Sequence, residues 1–202
     1  MATDKPLHIN DLFFTVQGEG AFCGVRSLFV RMPYCNLDCP WCDTTYNSHA
    51  KYTPDQLADF CQKEPTTKHC VLTGGEPMMH KHTPRVVAVL KAHGYRVACE
   101  TNGCFPIVDG VDFVTCSPKR FADPPYYVHP DTFGRVDEYK YVVDDDFDFG
   151  VLDRHDIADG KRYSLSPEYT QMQRHTDRIL EYISRNAGWR LNLQTHKWIG
   201  VA

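Results

Sequence analysis

Short apolar runs alternate along the chain with stretches whose apolar residues recur at helical spacing, without an internal repeat or a long polar linker. The runs at 27–32, 70–73, 96–101, 113–117, 139–143 and 191–194 predict six strands, several of them ending in polar or glycine-rich sequence. Between them, 54–63 predicts a helix behind the N-cap residue Thr53, and 85–92 predicts a second before Gly94. A longer helix is predicted over 168–186, after Pro167 and ahead of Gly188. Strand and helix in alternation predict an α/β fold. About six mainly parallel strands fit a partial, modified (β/α) barrel better than a sandwich, and in such barrels reactive groups gather at the carboxyl ends of the strands. The polar stretches 109–126 and 144–161 do not map onto a regular barrel, so the pattern leaves the strand count after Asp109 open.

Composition narrows the class. A chain of 202 residues, 42% of them hydrophobic, can bury a core of its own as one domain over 1–202. A formal net charge of −4 argues against a broad basic surface for nucleic acid and favours a small-molecule substrate. No apolar stretch is long enough to span a bilayer, and residues 1–6 lack the apolar region of a secretory leader, so no membrane role is expected. Nine cysteines at irregular positions do not suggest a secreted disulfide framework and point to a reducing, cytoplasmic setting. The acidic run 144–148 lacks the glycine and closing Glu of a calcium loop and reads as a solvated loop.

Three cysteines add chemistry. In Cys35-Asn36-Leu37-Asp38-Cys39-Pro40-Trp41-Cys42 the spacing is C-x3-C-x2-C. Protein-held iron–sulfur clusters normally take one Cys per iron, so three neighbouring thiolates leave one corner of a four-iron cluster open to a small molecule. Zinc also takes cysteine ligands, but a structural site would want a fourth ligand close by. Cys61, Cys70, Cys99, Cys104 and Cys116 are scattered singly, and His80-Lys81-His82 is isolated. Ligand count and spacing favour iron and sulfur. After the second predicted strand, Gly74-Gly75-Glu76-Pro77 combines residues that permit close backbone approach with a carboxylate able to accept from an ammonium.

Together these two motifs resemble the radical S-adenosylmethionine superfamily. Further segments narrow the resemblance to the 7-carboxy-7-deazaguanine synthase family: Gln17-Gly18-Glu19-Gly20, Phe29-Val30-Arg31, Cys39-Pro40-Trp41-Cys42-Asp43-Thr44, Leu72-Thr73-Gly74-Gly75-Glu76-Pro77, Glu100-Thr101-Asn102-Gly103, Ser117-Pro118-Lys119 and Gln194-Thr195-His196-Lys197. The resemblance spans nearly the whole chain. It implies a carbon–nitrogen lyase that converts 6-carboxy-5,6,7,8-tetrahydropterin to 7-carboxy-7-deazaguanine with release of ammonia, a radical ring contraction on the route to queuosine and other 7-deazapurines. S-adenosylmethionine would be cleaved by a reduced 4Fe-4S cluster and regenerated after each turnover. Magnesium, an external electron donor and a homodimer are also implied.

By the same resemblance, Cys35, Cys39 and Cys42 ligate the cluster. Trp41, Cys42, Asp43, Gly75, Glu76, Ser117, Pro118 and Lys119 would form the cofactor side, with Trp41 suited to contact adenine. Thr44 would supply a hydroxyl to magnesium, which prefers oxygen ligands. Val16, Gln17, Gly18, Glu19, Arg31, Thr73 and His196 would hold the pterin, an amide and a carboxylate reading its donor and acceptor edge while Arg31 grips a carboxylate. Ser166, Pro167 and Glu168, at a late strand-to-helix junction, are a further substrate-site candidate. Plainer roles compete at each position: turn residues for Gln17 and Glu19, a structural ion pair for Arg31, a loop or cap residue for Thr44 and a satisfied core histidine for His196. Three other readings of the chain share part of the pattern: an activating enzyme that places a radical on a partner protein, a ferredoxin-like electron carrier and a zinc-dependent binding module.

Overall fold

The chain enters through two short strands, β1 (Leu7–Ile9) and β2 (Asp11–Val16), and β2 turns back antiparallel onto β3 (Arg26–Met32) with Phe13 opposite Phe29 and Asp11 opposite Arg31. The computed structural model describes residues 5–44 and 50–201, so residues 1–4 of the polar stretch 1–6 lie outside the described residues. After the cysteine loop come β4 (Ala50–Tyr52), which pairs with β1, then α1 (Pro54–Cys61), β5 (His69–Gly74), α2 (Thr83–Ala92), β6 (Arg96–Thr101) and β7 (Phe113–Cys116). A short helix α3 (Pro130–Phe133), β8 (Glu138–Val143), β9 (Arg162–Pro167), α4 (Met172–Arg185), β10 (Trp189–Leu191) and α5 (Thr195–Ile199) complete the chain.

Among the described residues the main sheet has eight strands in the order β10-β9-β8-β7-β6-β5-β3-β2, all neighbours parallel except the β2–β3 hairpin. The mainly parallel α/β partial barrel expected from the sequence is present, with eight strands where the pattern suggested about six. Two of them, β2 and β9, carry sequences that the apolar runs did not single out. In β9, Tyr163 and Leu165 are buried in the core while Ser164 and Ser166 occupy the opposite face, a period-two strand masked by its serines. The terminal strand is Trp189–Leu191, and Gln194 instead stands at the N-cap position of α5 without a side-chain cap bond. Much of 144–161 is formed by two short 3-10 turns, Phe149–Arg154 and Ile157–Asp159.

Alternation along the strands builds two layers. Leu28, Val30 and Met32 of β3 and Cys70 and Leu72 of β5 are fully buried in a core shared with Leu57 of α1 and Val86 and Leu90 of α2. The intervening Phe29, Arg31, Val71 and Thr73 line a cavity on the other face. The same parity continues in β8, where Tyr139, Tyr141 and Val143 join the core while Lys140 and Val142 line the cavity. α1 starts as the sequence predicts: Thr53 Oγ1 accepts the Gln56 amide at 3.1 Å, and Gln56 Oε1 accepts the Thr53 amide at 2.8 Å. The longest helix begins at Met172, after a 3-10 turn at Tyr169–Gln171, and Ile179 carries its buried face.

Candidate active site

The strand ends and the loops that follow them enclose one cavity of about 560 Å3. The cysteine loop leaves β3 and closes one side of it, so Cys35, Cys39, Trp41, Cys42, Asp43 and Thr44 all reach the cavity. Its start is held against the end of β5 by two backbone bonds, Gly75 N–H to Met32 O at 3.0 Å and Glu76 N–H to Tyr34 O at 2.8 Å. A Cβ on Gly75 would strike the Tyr34 carbonyl, so only glycine permits this approach.

Cys35 Sγ accepts the Leu37 amide at 3.4 Å and the Asn102 side-chain amide at 3.8 Å. Burial pushes the Cys35 and Cys39 thiols up, Cys39 to about 11, while the Lys119 ammonium pulls both down and the neighbouring thiols oppose it. Three thiols on one cavity wall, N–H donors to sulfur and a nearby ammonium suit an anionic cluster held one thiolate per iron. Among the described residues, no three Cys, His, Asp or Glu side chains are grouped so as to hold a single metal ion.

Glu76 does not reach the cavity. Its carboxylate is fully buried, Oε1 accepting from the Met78 amide (2.9 Å) and the Thr101 hydroxyl (2.7 Å), and Oε2 from the Asn102 amide (2.7 Å). Burial raises its pKa, opposed by those hydrogen bonds. In place of the ammonium-accepting role expected from the sequence, it fastens the ends of β5 and β6 to each other. Gly75, Ser117 and Lys119 do line the cavity, with Lys119 Nζ bonded to the Ser117 carbonyl at 2.7 Å and to its hydroxyl, whereas Pro118 lies buried outside the lining.

The same cavity is lined by Val16, Gln17, Gly18, Glu19, Arg31, Thr73 and His196. Arg31 Nη1 donates to Thr44 Oγ1 at 3.1 Å, its Nε lies 3.6 Å from Asp11, and its guanidinium sits 5.8 Å from the Phe13 ring centroid. Phe13 stacks on Phe29 with centroids 5.3 Å apart, which gives this part of the cavity an aromatic wall. α5 closes the mouth: the Thr195 amide bonds to Gly18 O at 3.0 Å, and Lys197 Nζ meets Asp43 at 2.6 Å. Burial lowers the His196 imidazole, with Glu19 opposing.

Ser166, Pro167 and Glu168 are not brought to this cavity. Ser166 Oγ accepts from Asn192 at 2.8 Å in a buried pair, Pro167 ends β9, and Glu168 caps the following turn through the Thr170 amide (2.9 Å) and hydroxyl (2.6 Å). Asn192 also accepts the Gly20 amide at 2.7 Å, so this junction supports the Gly18–Gly20 segment from behind.

The sequence pattern named Glu19 but missed its partners Lys140 and Glu100 at the charged centre of the cavity. Lys140 Nζ lies 2.6 Å from Glu19 Oε2 and 2.9 Å from Glu100 Oε2, with all three side chains at most one-fifth exposed. Gln194 donates to Glu19 Oε1 at 2.9 Å, and Gln17 to Glu100 Oε1 at 3.4 Å. Burial alone would raise the Glu19 pKa, but Lys140 and the two hydrogen bonds hold it down to about 2. Glu100 is pushed up, by burial first and by the charge of Glu19, with Lys140 opposing. Lys140 is raised, the two carboxylates outweighing burial. A lysine inside the otherwise apolar run Tyr139–Val143 and a glutamate at the end of a predicted strand were the available signals.

Comparison with known proteins decides the family. Residues 29–132 match the family model of the Radical SAM superfamily. The 7-carboxy-7-deazaguanine synthase of Synechocystis sp. is 34% identical over 198 residues, 96% of this chain and 92% of that protein. This chain belongs to the same family. The Aquifex aeolicus member is 38% identical over 82% of this chain and 80% of its own length. The crystal structure of QueE from Escherichia coli superposes with a TM-score of 0.77 at 27% identity, covering 93% of both chains. Streptococcus suis SuiB bound to S-adenosylmethionine shares the fold alone, with a TM-score of 0.52 at 14% identity over 82% of this chain and 51% of that one. Family membership makes this chain a radical S-adenosylmethionine enzyme of the lyase class with a 4Fe-4S cluster, acting on a small molecule. It sets aside the electron-carrier and zinc-module readings.

Proposed function

We propose that the enzyme converts 6-carboxy-5,6,7,8-tetrahydropterin to 7-carboxy-7-deazaguanine and ammonia. The product is the substrate less one ammonia, so no oxidant is consumed. The observation that carries this reading is one cavity lined both by three thiols and by Arg31 with the Glu19–Lys140–Glu100 centre. The curated relatives' shared activity name agrees with it. About 560 Å3 lies within the range of small-molecule sites.

Cys35, Cys39 and Cys42 would hold the cluster, and Trp41, Asp43, Gly75, Ser117 and Lys119 the S-adenosylmethionine. When bound, the two together supply an electron and a carbon radical able to take a hydrogen atom from the substrate. The chain's own residues bind and orient. Arg31 presents a planar donor pair to the substrate carboxylate. Thr44, whose hydroxyl accepts from Arg31 at 3.1 Å, would supply an oxygen ligand to a magnesium ion. Glu19, Glu100 and Gln17 accept from and donate to the amino-pterin edge, and Lys140 keeps Glu19 ionised while it does so. Phe13 and Phe29 flank the ring and exclude water. His196 closes the cavity over Gly18.

We read the enzyme further as a cytoplasmic homodimer reduced by an external one-electron donor. All nine cysteines are free, which suits a reducing compartment. No helix among the described residues is long and apolar enough to cross a membrane. Trp198 and Ile199 on α5 are more than half exposed and offer apolar surface to a second copy.

The test is anaerobic turnover of the reconstituted, reduced protein with S-adenosylmethionine, magnesium and 6-carboxytetrahydropterin, followed by mass spectrometry. Formation of 7-carboxy-7-deazaguanine is expected. Cofactor cleavage without that product, in protein of verified iron content, would assign the radical chemistry to another substrate.

A further inference from the structure

Trp41 separates two spaces. It lines the main cavity, and with Pro40 it also lines a smaller cavity of about 250 Å3 that includes Arg120, Asp144, Glu168 and His175. The indole is held from three directions. Asp144, the residue that follows β8, accepts its Nε1–H at 3.0 Å; Phe121 meets it edge to face with centroids 6.0 Å apart; and Lys119 Nζ lies 5.7 Å from its ring centroid.

Asp144 is unlike the solvated residue that the acidic run suggested. Its side chain is 11% exposed, whereas that of Asp146 is 71% exposed. Its Oδ2 takes the Trp41 indole together with Arg120 Nε at 3.3 Å and Nη2 at 3.2 Å. Oδ1 is buried without a hydrogen-bond partner. A bare buried acceptor costs on the order of 1–3 kcal/mol, so a carboxylate that served only to stabilise its loop would spread its donors over both oxygens. Here the donors crowd onto one oxygen and come from the cysteine loop and from the residue after Lys119, the two segments that form the cofactor side. The backbone of Asp144 is fixed in turn, its carbonyl accepting from Arg178 of α4.

We propose that Asp144 is a positioning residue for the cofactor: by holding the Trp41 N–H it sets the indole plane as the surface against which S-adenosylmethionine packs. This rests on Trp41 being a cofactor-contact residue. Asp144 touches neither reactant. Its effect passes through the indole, and the Asp144 contribution therefore depends on the Trp41 N–H being present.

The test is equilibrium binding of S-adenosylmethionine to anaerobically reconstituted protein, with iron content and thermal midpoint measured on the same samples. Asp144→Ala is expected to weaken binding about tenfold, the loss of one hydrogen bond to a charged group, at unchanged iron content. Asp144→Asn, which keeps an acceptor for the indole, is expected to recover most of that loss. In a Trp41→Phe background, which has no N–H, adding Asp144→Ala is expected to change affinity less than about threefold. Equal losses in both backgrounds would place the effect of Asp144 elsewhere and overturn the proposal, as would unchanged affinity in Asp144→Ala. Should Asp144→Ala lose its fold or its iron, Asp144→Ser is compared in the wild-type and Trp41→Phe backgrounds in its place: a loss of affinity confined to the wild-type background supports the proposal, and equal losses or none overturn it. Wild-type protein that holds its cluster but does not bind S-adenosylmethionine would instead overturn the reading of Trp41 on which the proposal rests.

Discussion

Glu76 Oε2 accepts the backbone N–H of Asn102 at 2.7 Å and joins the carboxyl end of β5 to that of β6. Asn102 in turn donates its side-chain amide to Asn36 at 2.8 Å and to Cys35 Sγ at 3.8 Å. One buried carboxylate thus helps to set where the first cluster cysteine stands. Glu76→Gln replaces an oxygen with an NH2 group that must face one of three donors. We expect a loss of about 1–3 kcal/mol of stability, measured by denaturant unfolding, together with a lower iron content after reconstitution. Unchanged values of both would remove Glu76 from this role.

Lys140 is the only positive charge bonded to both Glu19 and Glu100 among the described residues. Lys140→Met strands two carboxylates in a mostly buried setting, and breaking such a pair costs on the order of 3–5 kcal/mol. We expect Lys140→Met to unfold at markedly lower denaturant and to lose pterin turnover. Lys140→Arg should retain more of both, because it restores the charge while changing the geometry.

Gly18 packs so closely beneath His196 that an added Cβ would fall on the imidazole ring. Gly18→Ala is therefore expected to displace His196 and α5, at a cost of roughly 1–3 kcal/mol as an overpacked contact. Pterin turnover should fall while cluster content holds. Adding His196→Ala removes the ring atoms but keeps the His196 Cβ at 2.7 Å from the added carbon, so the double variant should regain part of the thermal stability lost in Gly18→Ala. Failure to regain it would show that the strain lies elsewhere.

His155 stands among Tyr139, Tyr141, Tyr163 and Trp189, and its Nε2 is 2.8 Å from the Tyr141 hydroxyl. Burial, reinforced by Arg154, lowers its pKa to about 4 from an ordinary 6.5. As pH falls below 6.5 the unfolded chain takes up this proton before the folded one. The stabilisation from a neutral His155 is thus present above pH 6.5 and lost as pH falls towards 4. Between pH 6.5 and 5 the loss should reach about 1–2 kcal/mol, discounted for the partly exposed ring. Thermal midpoints across that window should fall less steeply in His155→Phe than in wild type. Some slope should remain, since burial lowers His69, His82 and His196 in the same direction.

The chain by itself determined the parts that depend on local order. The C-x3-C-x2-C spacing put three thiols on one loop, Thr53 capped α1, and the apolar runs located β3, β5, β6, β7 and β8. These follow from neighbours in sequence, where spacing and side-chain type suffice. Tertiary structure decided what needs strands far apart in sequence to meet. Glu19, Glu100 and Lys140 become one charged centre because the Gly18–Gly20 segment, β6 and β8 converge on one cavity. Glu76 turns inward because two backbone amides and a hydroxyl offer it more than the cavity does. Asp144 leaves its acidic run to hold an indole 103 positions away. No local pattern records such pairings, because the free energy of a buried polar group is set by whichever donors the fold delivers to it.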